Sequence, residues 1–112
     1  DTAHNVDGLT LTMQQLQSTP HRQLHLVLGF VKDKDLSAVL PLLPKTAHYY
    51  FCAPQMMRAL PATSLQEIAG QYGLQGISYN SVNQAFEAAK AQAQPEDLIY
   101  IGGSTFVVAE VV

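Results

Sequence analysis

The chain has a single cysteine, Cys52, among its 112 residues, so no disulfide can form within it. A reducing, cytoplasmic compartment fits this shortage. Basic residues are also few, since six lysines and arginines stand against nine acids and the formal charge is −3. This balance gives no electrostatic reason to expect a nucleic acid or an anionic membrane as a partner.

Long apolar runs and nucleotide motifs are also missing. No stretch approaches the roughly 20 apolar residues of a membrane-spanning helix, and the polar N-terminus lacks the order of a secretory signal. The sequence contains no G-x-x-x-x-G-K-[ST] phosphate loop, no G-x-G-x-x-G fingerprint and no cysteine pair at zinc spacing. It therefore predicts no metal site of its own and no self-contained nucleotide enzyme.

The most informative stretch is a near-continuous apolar run from Leu24 to Val31. A run of this kind is typical of a strand buried on both faces of a parallel sheet. Four charged residues follow it, and Asp35 is placed to cap a helix that begins at Leu36. The run therefore predicts a central strand that leads into a helix.

Strand and helix patterns alternate along the rest of the chain. A capping box at Ser64 predicts one helix that stops at Gly73, and Ser81 begins a similar box before another. The valines of residues 105–112 favour a strand, whereas Ser104 after two glycines favours a helix, which we prefer. The pattern predicts a single three-layer α/β/α domain with a largely parallel sheet and right-handed crossovers. The expected strands cover 24–31, 47–53, 76–80 and 97–102, and the expected helices cover 9–18, 36–43, 65–72 and 82–93.

Polar residues at the carboxyl end of a central strand stand where ligands bind in open α/β sheets. Asp33 and Lys34 occupy that position, although a solvated turn before a helix cap explains them equally well. Ser104 follows the last strand after two glycines, a pattern typical of a helix start that holds an anion or of a hairpin turn. We interpret His48 and Cys52 as structural residues, and the spacing of His21 and His25 argues against a metal site because His25 begins a strand.

Four stretches, in the same order, resemble one enzyme family. The opening Asp1-Thr-Ala-His-Asn5 is similar to the D-x-A-H-N signature that begins the C-terminal domain of folylpolyglutamate synthase and bifunctional dihydrofolate synthase, relatives of the Mur ligases. Residues 28–35, 58–61 and 102–110 match further along, so the likeness spans essentially the whole chain. It implies a Rossmann-like domain of the Mur-ligase C-terminal type.

The resemblance also implies a reaction and a set of residue roles. These enzymes use ATP and Mg²⁺ to phosphorylate a folate or dihydropteroate carboxylate, and the amine of L-glutamate then attacks the acyl phosphate to form an amide. By matching position, Asp1 would face the nucleotide, and His4, Lys34 and Ser104 would bind glutamate. His4 would also be the catalytic candidate, as it would orient glutamate or accept a proton from its amine. Asn5 and Asp33 would have supporting roles, with Asp33 bracing Lys34.

The phosphate loop and the magnesium ligands of this family belong to an N-terminal domain. We therefore expect residues 1–112 to be one C-terminal glutamate-ligase domain, cut from a longer enzyme and inactive alone. A sheet edge that the parent enzyme covers would then be exposed, inviting dimerisation. The alternative is a free-standing, non-catalytic α/β module that binds a small anion or a protein partner.

Overall fold

The computed structural model describes the backbone of residues 6–111, and the side chains of that range other than those of 6–9, 105 and 106. This part of the chain forms one parallel sheet of four strands in the order β3-β2-β1-β4. The strands are β1 (Leu24–Leu28), β2 (His48–Phe51), β3 (Gly76–Ser78) and β4 (Leu98–Gly102). The helices are α1 (Val6–Ser18), α2 (Leu36–Val39), α3 (Ala62–Gln71), α4 (Val82–Gln92) and α5 (Thr105–Ala109).

Strand β1 is the centre of this sheet, as its apolar run predicts. All five of its residues are buried, and it pairs in parallel with β2 on one side and β4 on the other. Leu26 lies opposite Tyr49 in β2 and Tyr100 in β4, so the three strands end at the same edge. The predicted central strand is confirmed, although it ends at Leu28 and not at Val31, which forms only an isolated antiparallel bridge with Ala59.

Apolar side chains cover both faces of the sheet, because successive residues of a strand point to opposite sides. The first cluster joins the sheet to α1, α2 and α3 and includes Met13, Leu26, Leu28, Val39, Phe51, Leu65 and Ala69. The second joins it to α4 and α5 and includes Val27, Tyr50, Val82, Ala85, Ala89 and Val107. The three-layer α/β/α arrangement is therefore confirmed. Within residues 6–111, no helix combines the length and apolarity that crossing a bilayer requires.

Two of the helix predictions differ from the structure near prolines. The helix expected over 36–43 is shortened to α2, followed by a 3₁₀ turn (Leu40–Leu42), because Pro41 has no backbone N–H for an α-helical bond. The capping box at Ser64 is wrong, since α3 already begins at Ala62. Pro61 precedes it with φ −57°, a value suited to helix entry, and its carbonyl accepts a bond from Leu65 at 3.0 Å.

Other helix ends agree with the sequence. Asp35 caps α2 by accepting the Ser37 N–H at 3.1 Å, and the Ser81 hydroxyl caps α4 by accepting the Gln84 N–H at 3.0 Å. Helix α3 ends where Gly73 adopts φ +80°, a left-handed conformation that glycine tolerates best. The tail forms α5, so the preferred helix is confirmed and the hairpin reading is wrong.

Candidate functional site

The carboxyl ends of β1 and β4 lie side by side. The Gly29 N–H donates to the Gly102 carbonyl at 3.3 Å, which extends the pairing past the end of β1. Gly103 then turns the chain with φ +90°, and a Cβ there would lie 2.6 Å from the Gly29 carbonyl oxygen and 3.0 Å from the Phe30 ring. This contact requires a glycine. The turn that carries Lys34 and the turn that carries Ser104 therefore leave neighbouring strand ends.

The turn after β1 holds two lysines and two acids over residues 32–35. The Lys34 N–H donates to the Val31 carbonyl at 3.2 Å, and the Lys34 side chain is partly exposed. The Asp35 carboxylate accepts from the Ser37 hydroxyl at 2.6 Å, and this bond, with the backbone bonds of the cap, holds the pKa of Asp35 below its ordinary value. The Asp35 carboxylate therefore caps α2 through its bonds to Ser37.

Asp33 does not brace Lys34, so that expectation is wrong. Its Oδ2 atom forms an ion pair with Nη2 of Arg58 at 2.7 Å, because the loop after β2 passes beside this turn. Of the acids in the described part of the chain, none forms an ion pair with Lys34. Among the residues that the structure describes, Lys34 therefore presents a cation without an ion-pair partner at the carboxyl edge of the central strand.

The loop over residues 55–61 is fixed against this turn through its backbone. Val31 and Ala59 form an isolated antiparallel bridge. The Lys32 N–H donates to the Arg58 carbonyl at 2.7 Å, and the Leu60 N–H donates to the Phe30 carbonyl at 2.8 Å. Sequence reasoning assigned no role to Arg58, whose guanidinium the structure places against Asp33. It stands in one of the family-like stretches, but its pairing with Asp33 has no signal in local spacing.

Ser104 is buried, with 6% of its surface exposed, and its carbonyl accepts the N–H groups of Val107 and Val108 as α5 begins. Ser104 is therefore less accessible to solvent than the partly exposed Lys34. The remaining candidates, Asp1, His4 and Asn5, lie outside the described residues.

Cys52 lies just beyond β2 and is fully buried. Burial, with a smaller effect from the Glu110 carboxylate, raises the pKa of its thiol to about 12. Its Sγ donates to the Leu28 carbonyl at 3.4 Å. A thiol that stays protonated near neutral pH is a poor nucleophile, so the structural interpretation of Cys52 holds.

A second charged cluster occupies the opposite, amino-terminal edge of the sheet. The side chain of Asp97 is fully buried and accepts from Nε and Nη2 of Arg22, both at 3.0 Å. It also accepts the Gln94 N–H at 2.9 Å and lies 2.8 Å from Nε2 of His25. Burial works against its charge, yet the bonds from Gln94, His25 and Arg22 outweigh burial and hold the pKa of Asp97 well below its ordinary value.

His25 is buried and continues this cluster, since its Nδ1 is hydrogen-bonded to the Tyr50 hydroxyl at 2.8 Å. Every group here has a partner within the cluster, so it is a structural anchor. Residues 6–111 contain no group of three or more histidine, cysteine or acidic side chains arranged to hold a metal ion. A groove of about 500 Å³ between α1 and residues 42–44 has no charged lining residue. The carboxyl edge is therefore distinguished by a lysine that has no ion-pair partner among the described residues, and not by the size of a cavity.

Comparison with known proteins identifies the family of this domain. The family model described as Mur ligase, glutamate ligase domain, matches residues 1–105. The chain belongs to the Mur ligase glutamate ligase domain family. The resemblance seen in the sequence is confirmed.

Relatives of this family member are much longer than the chain. Dihydrofolate synthase/folylpolyglutamate synthase of Escherichia coli is 33% identical over 99% of the chain, which spans 26% of that protein. A probable bifunctional folylpolyglutamate synthase/dihydropteroate synthase of Haloferax volcanii is 30% identical over 98% of the chain and 13% of its own length. The chain thus spans about a quarter or less of these curated relatives.

Solved structures show the same domain. The structure of E. coli FolC in complex with DHPP and ADP superposes with a TM-score of 0.88 and 31% identity, covering 99% of the chain and 26% of FolC. Folylpolyglutamate synthase of Mycobacterium tuberculosis, complexed with ADP and AMPPCP, gives a TM-score of 0.84 at 25% identity over 98% of the chain and 28% of its own. These matches confirm the Mur-ligase-type fold.

Proposed function

We propose that this chain is the C-terminal, glutamate-facing domain of an ATP-dependent folate–glutamate ligase. The observation that carries the proposal is Lys34 at the carboxyl edge of β1, which has no ion-pair partner among the described residues, on a chain that belongs to a glutamate ligase domain family. In the proposed reaction, ATP phosphorylates a folate or dihydropteroate carboxylate and ADP leaves. The amine of L-glutamate then attacks the acyl phosphate, giving the amide, inorganic phosphate and a proton.

Lys34 and Ser104 would bind the glutamate substrate. A dicarboxylate must be held by a cation and hydrogen-bond donors while its amine stays free to attack. Lys34 offers the cation on the turn after β1, and Ser104 lies after the neighbouring strand β4. Asp33 would influence the conformation and the charge of the turn that carries Lys34, and it would not contact the substrate.

His4, Asn5 and Asp1 complete the proposal from the family-like opening signature. His4 would orient glutamate or accept the proton that its amine loses, and Asn5 would support it. Asp1 would face the ribose of the nucleotide.

ATP and Mg²⁺ would be held mainly by a companion N-terminal domain. The E. coli relative FolC binds ADP, and the chain covers 26% of it. By the resemblance to the ligase family, a magnesium ion would find its ligands mainly on the companion domain. The bound ion would neutralise phosphate charge during transfer to the folate carboxylate. This chain would contribute the residues that bind and orient glutamate.

The test compares the chain alone with the longer polypeptide that contains it. We expect the longer protein to release ADP over many turnovers only when both L-glutamate and a folate or dihydropteroate are present, and to form the amide product detected by mass spectrometry. The isolated chain should form neither. Glutamate-independent ATP turnover without amide formation would contradict the proposed reaction, and a complete 112-residue protein that binds a small anion without catalysis would favour the binding-module alternative.

A further inference from the structure

Both acids of the charged turn are bound to groups other than its lysines. Asp33 pairs with Arg58 at 2.7 Å, and Asp35 accepts from the side chain and N–H of Ser37. Within the described residues, neither Lys32 nor Lys34 has an ion-pair partner. The turn therefore presents positive charge although its four residues sum to zero.

We propose that Arg58 is a positioning residue for Lys34. By binding Asp33, it keeps the adjacent carboxylate from neutralising the lysine that receives glutamate. The inference rests on the proposed function, because it assumes that Lys34 binds the substrate. Without Arg58, the Asp33 carboxylate competes with the substrate carboxylate for an ammonium group carried on a flexible stem.

The ion pair between Arg58 and Asp33 contributes little to the stability of the fold, which supports a role in positioning Lys34. The side chains of Arg58 and Asp33 are 65% and 67% exposed, and ion pairs this exposed contribute little to stability. The loop is already held by backbone bonds from Lys32 to Arg58 and from Leu60 to Phe30. Losing the guanidinium therefore leaves the loop in place and changes mainly the charge beside Lys34.

Steady-state kinetics of the longer ligase test this role. In Arg58→Gln, the KM for L-glutamate should rise about three- to fivefold, the upper range for an exposed ion pair, while kcat and the KM for ATP stay near wild type. Arg58→Lys, which keeps a cation opposite Asp33, should retain most of the glutamate affinity.

The double variant Arg58→Gln with Asp33→Asn separates charge from structure. Removing the competing carboxylate should return the glutamate KM to within about twofold of wild type. If the pair only shapes the turn, the double variant will be as impaired as Arg58→Gln, and the inference is overturned.

Lys34→Met distinguishes the remaining outcomes. A raised glutamate KM in Lys34→Met together with a normal KM in Arg58→Gln overturns the role of Arg58 alone. A normal KM in Lys34→Met overturns both this inference and the glutamate role of the lysine. Circular dichroism of each variant should match wild type.

Discussion

Replacing Gly103 with alanine perturbs the contact that brings the two site turns together. Gly103 adopts φ +90°, a region that costs an L-residue about 1–2 kcal/mol. The new Cβ would also lie 2.6 Å from the Gly29 carbonyl oxygen and 3.0 Å from the Phe30 ring. Relieving such overlap in a packed region costs about 1–3 kcal/mol. We expect Gly103→Ala to lower the free energy of unfolding by about 2–5 kcal/mol.

Gly70→Ala is the matched control, because Gly70 lies in α3 and an added Cβ would meet no atom within 4 Å. Removing a helical glycine there should raise the free energy of unfolding by about 0.5–1 kcal/mol. Urea unfolding followed by circular dichroism measures both variants, with linear extrapolation to water. Each kcal/mol should shift Tm by about 4 °C in a domain of this size. A Gly103→Ala variant within about 0.5 kcal/mol of wild type would refute the reasoning.

Three further outcomes are expected. Tyr50→Phe should lower the free energy of unfolding by about 1–3 kcal/mol because it leaves the buried Nδ1 of His25 without its 2.8 Å partner. Tyr79→Phe, the control, should change the free energy of unfolding by less than about 0.5 kcal/mol, since the described residues show no hydrogen bond to the Tyr79 hydroxyl. If both variants lose the same free energy of unfolding, the hydrogen bond from Tyr50 to His25 does not stabilise the cluster. The folded pKa of Asp97 is depressed, so its stabilisation is present above pH about 4 and lost as pH falls through that folded pKa. Asp97→Asn should therefore flatten the acid limb of the stability profile, and an unchanged slope would argue against the ionised carboxylate. We also propose that the isolated chain dimerises through the outer edge of β4, whose alternate backbone groups point away from β1, whereas the Gly76 carbonyl of β3 already accepts a bond from Gln66. Light scattering should then give a concentration-dependent mass, and a constant monomer mass would exclude this contact.

Local sequence patterns predicted the central strand and several helix ends, because these features depend on residues close together in the chain. The apolar run of β1 identified the central strand because burial on both faces leaves no room for polar residues. Gly73 and Ser81 marked helix ends because a left-handed turn and a hydroxyl cap each need a particular residue type. The start of α3 was missed because Pro61 favours entry three residues earlier than the Ser64 box.

The site was predictable in position but not in its partners. Strand order and the topology of open α/β sheets place the turn of Lys34 at the edge where ligands commonly bind in such sheets. The partner of Asp33 depends on where the loop after β2 lies, and Arg22 meets Asp97 across 75 positions of sequence. Such pairs follow from tertiary packing, so no spacing rule identifies them. For the same reason, the position of Arg58 beside the turn of Lys34 could not be predicted and is known only from its ion pair with Asp33.

The KM for L-glutamate of the Lys34→Met variant of the longer ligase is the most direct test of the proposed glutamate site. A charge-assisted hydrogen bond to a substrate carboxylate is worth about 1.5–3 kcal/mol, so the KM for L-glutamate should rise about tenfold or more, with the KM values for ATP and the folate substrate unchanged. Lys45→Met removes an exposed lysine from the loop before β2 and serves as the control. A glutamate KM equal to wild type in Lys34→Met would contradict the proposed site.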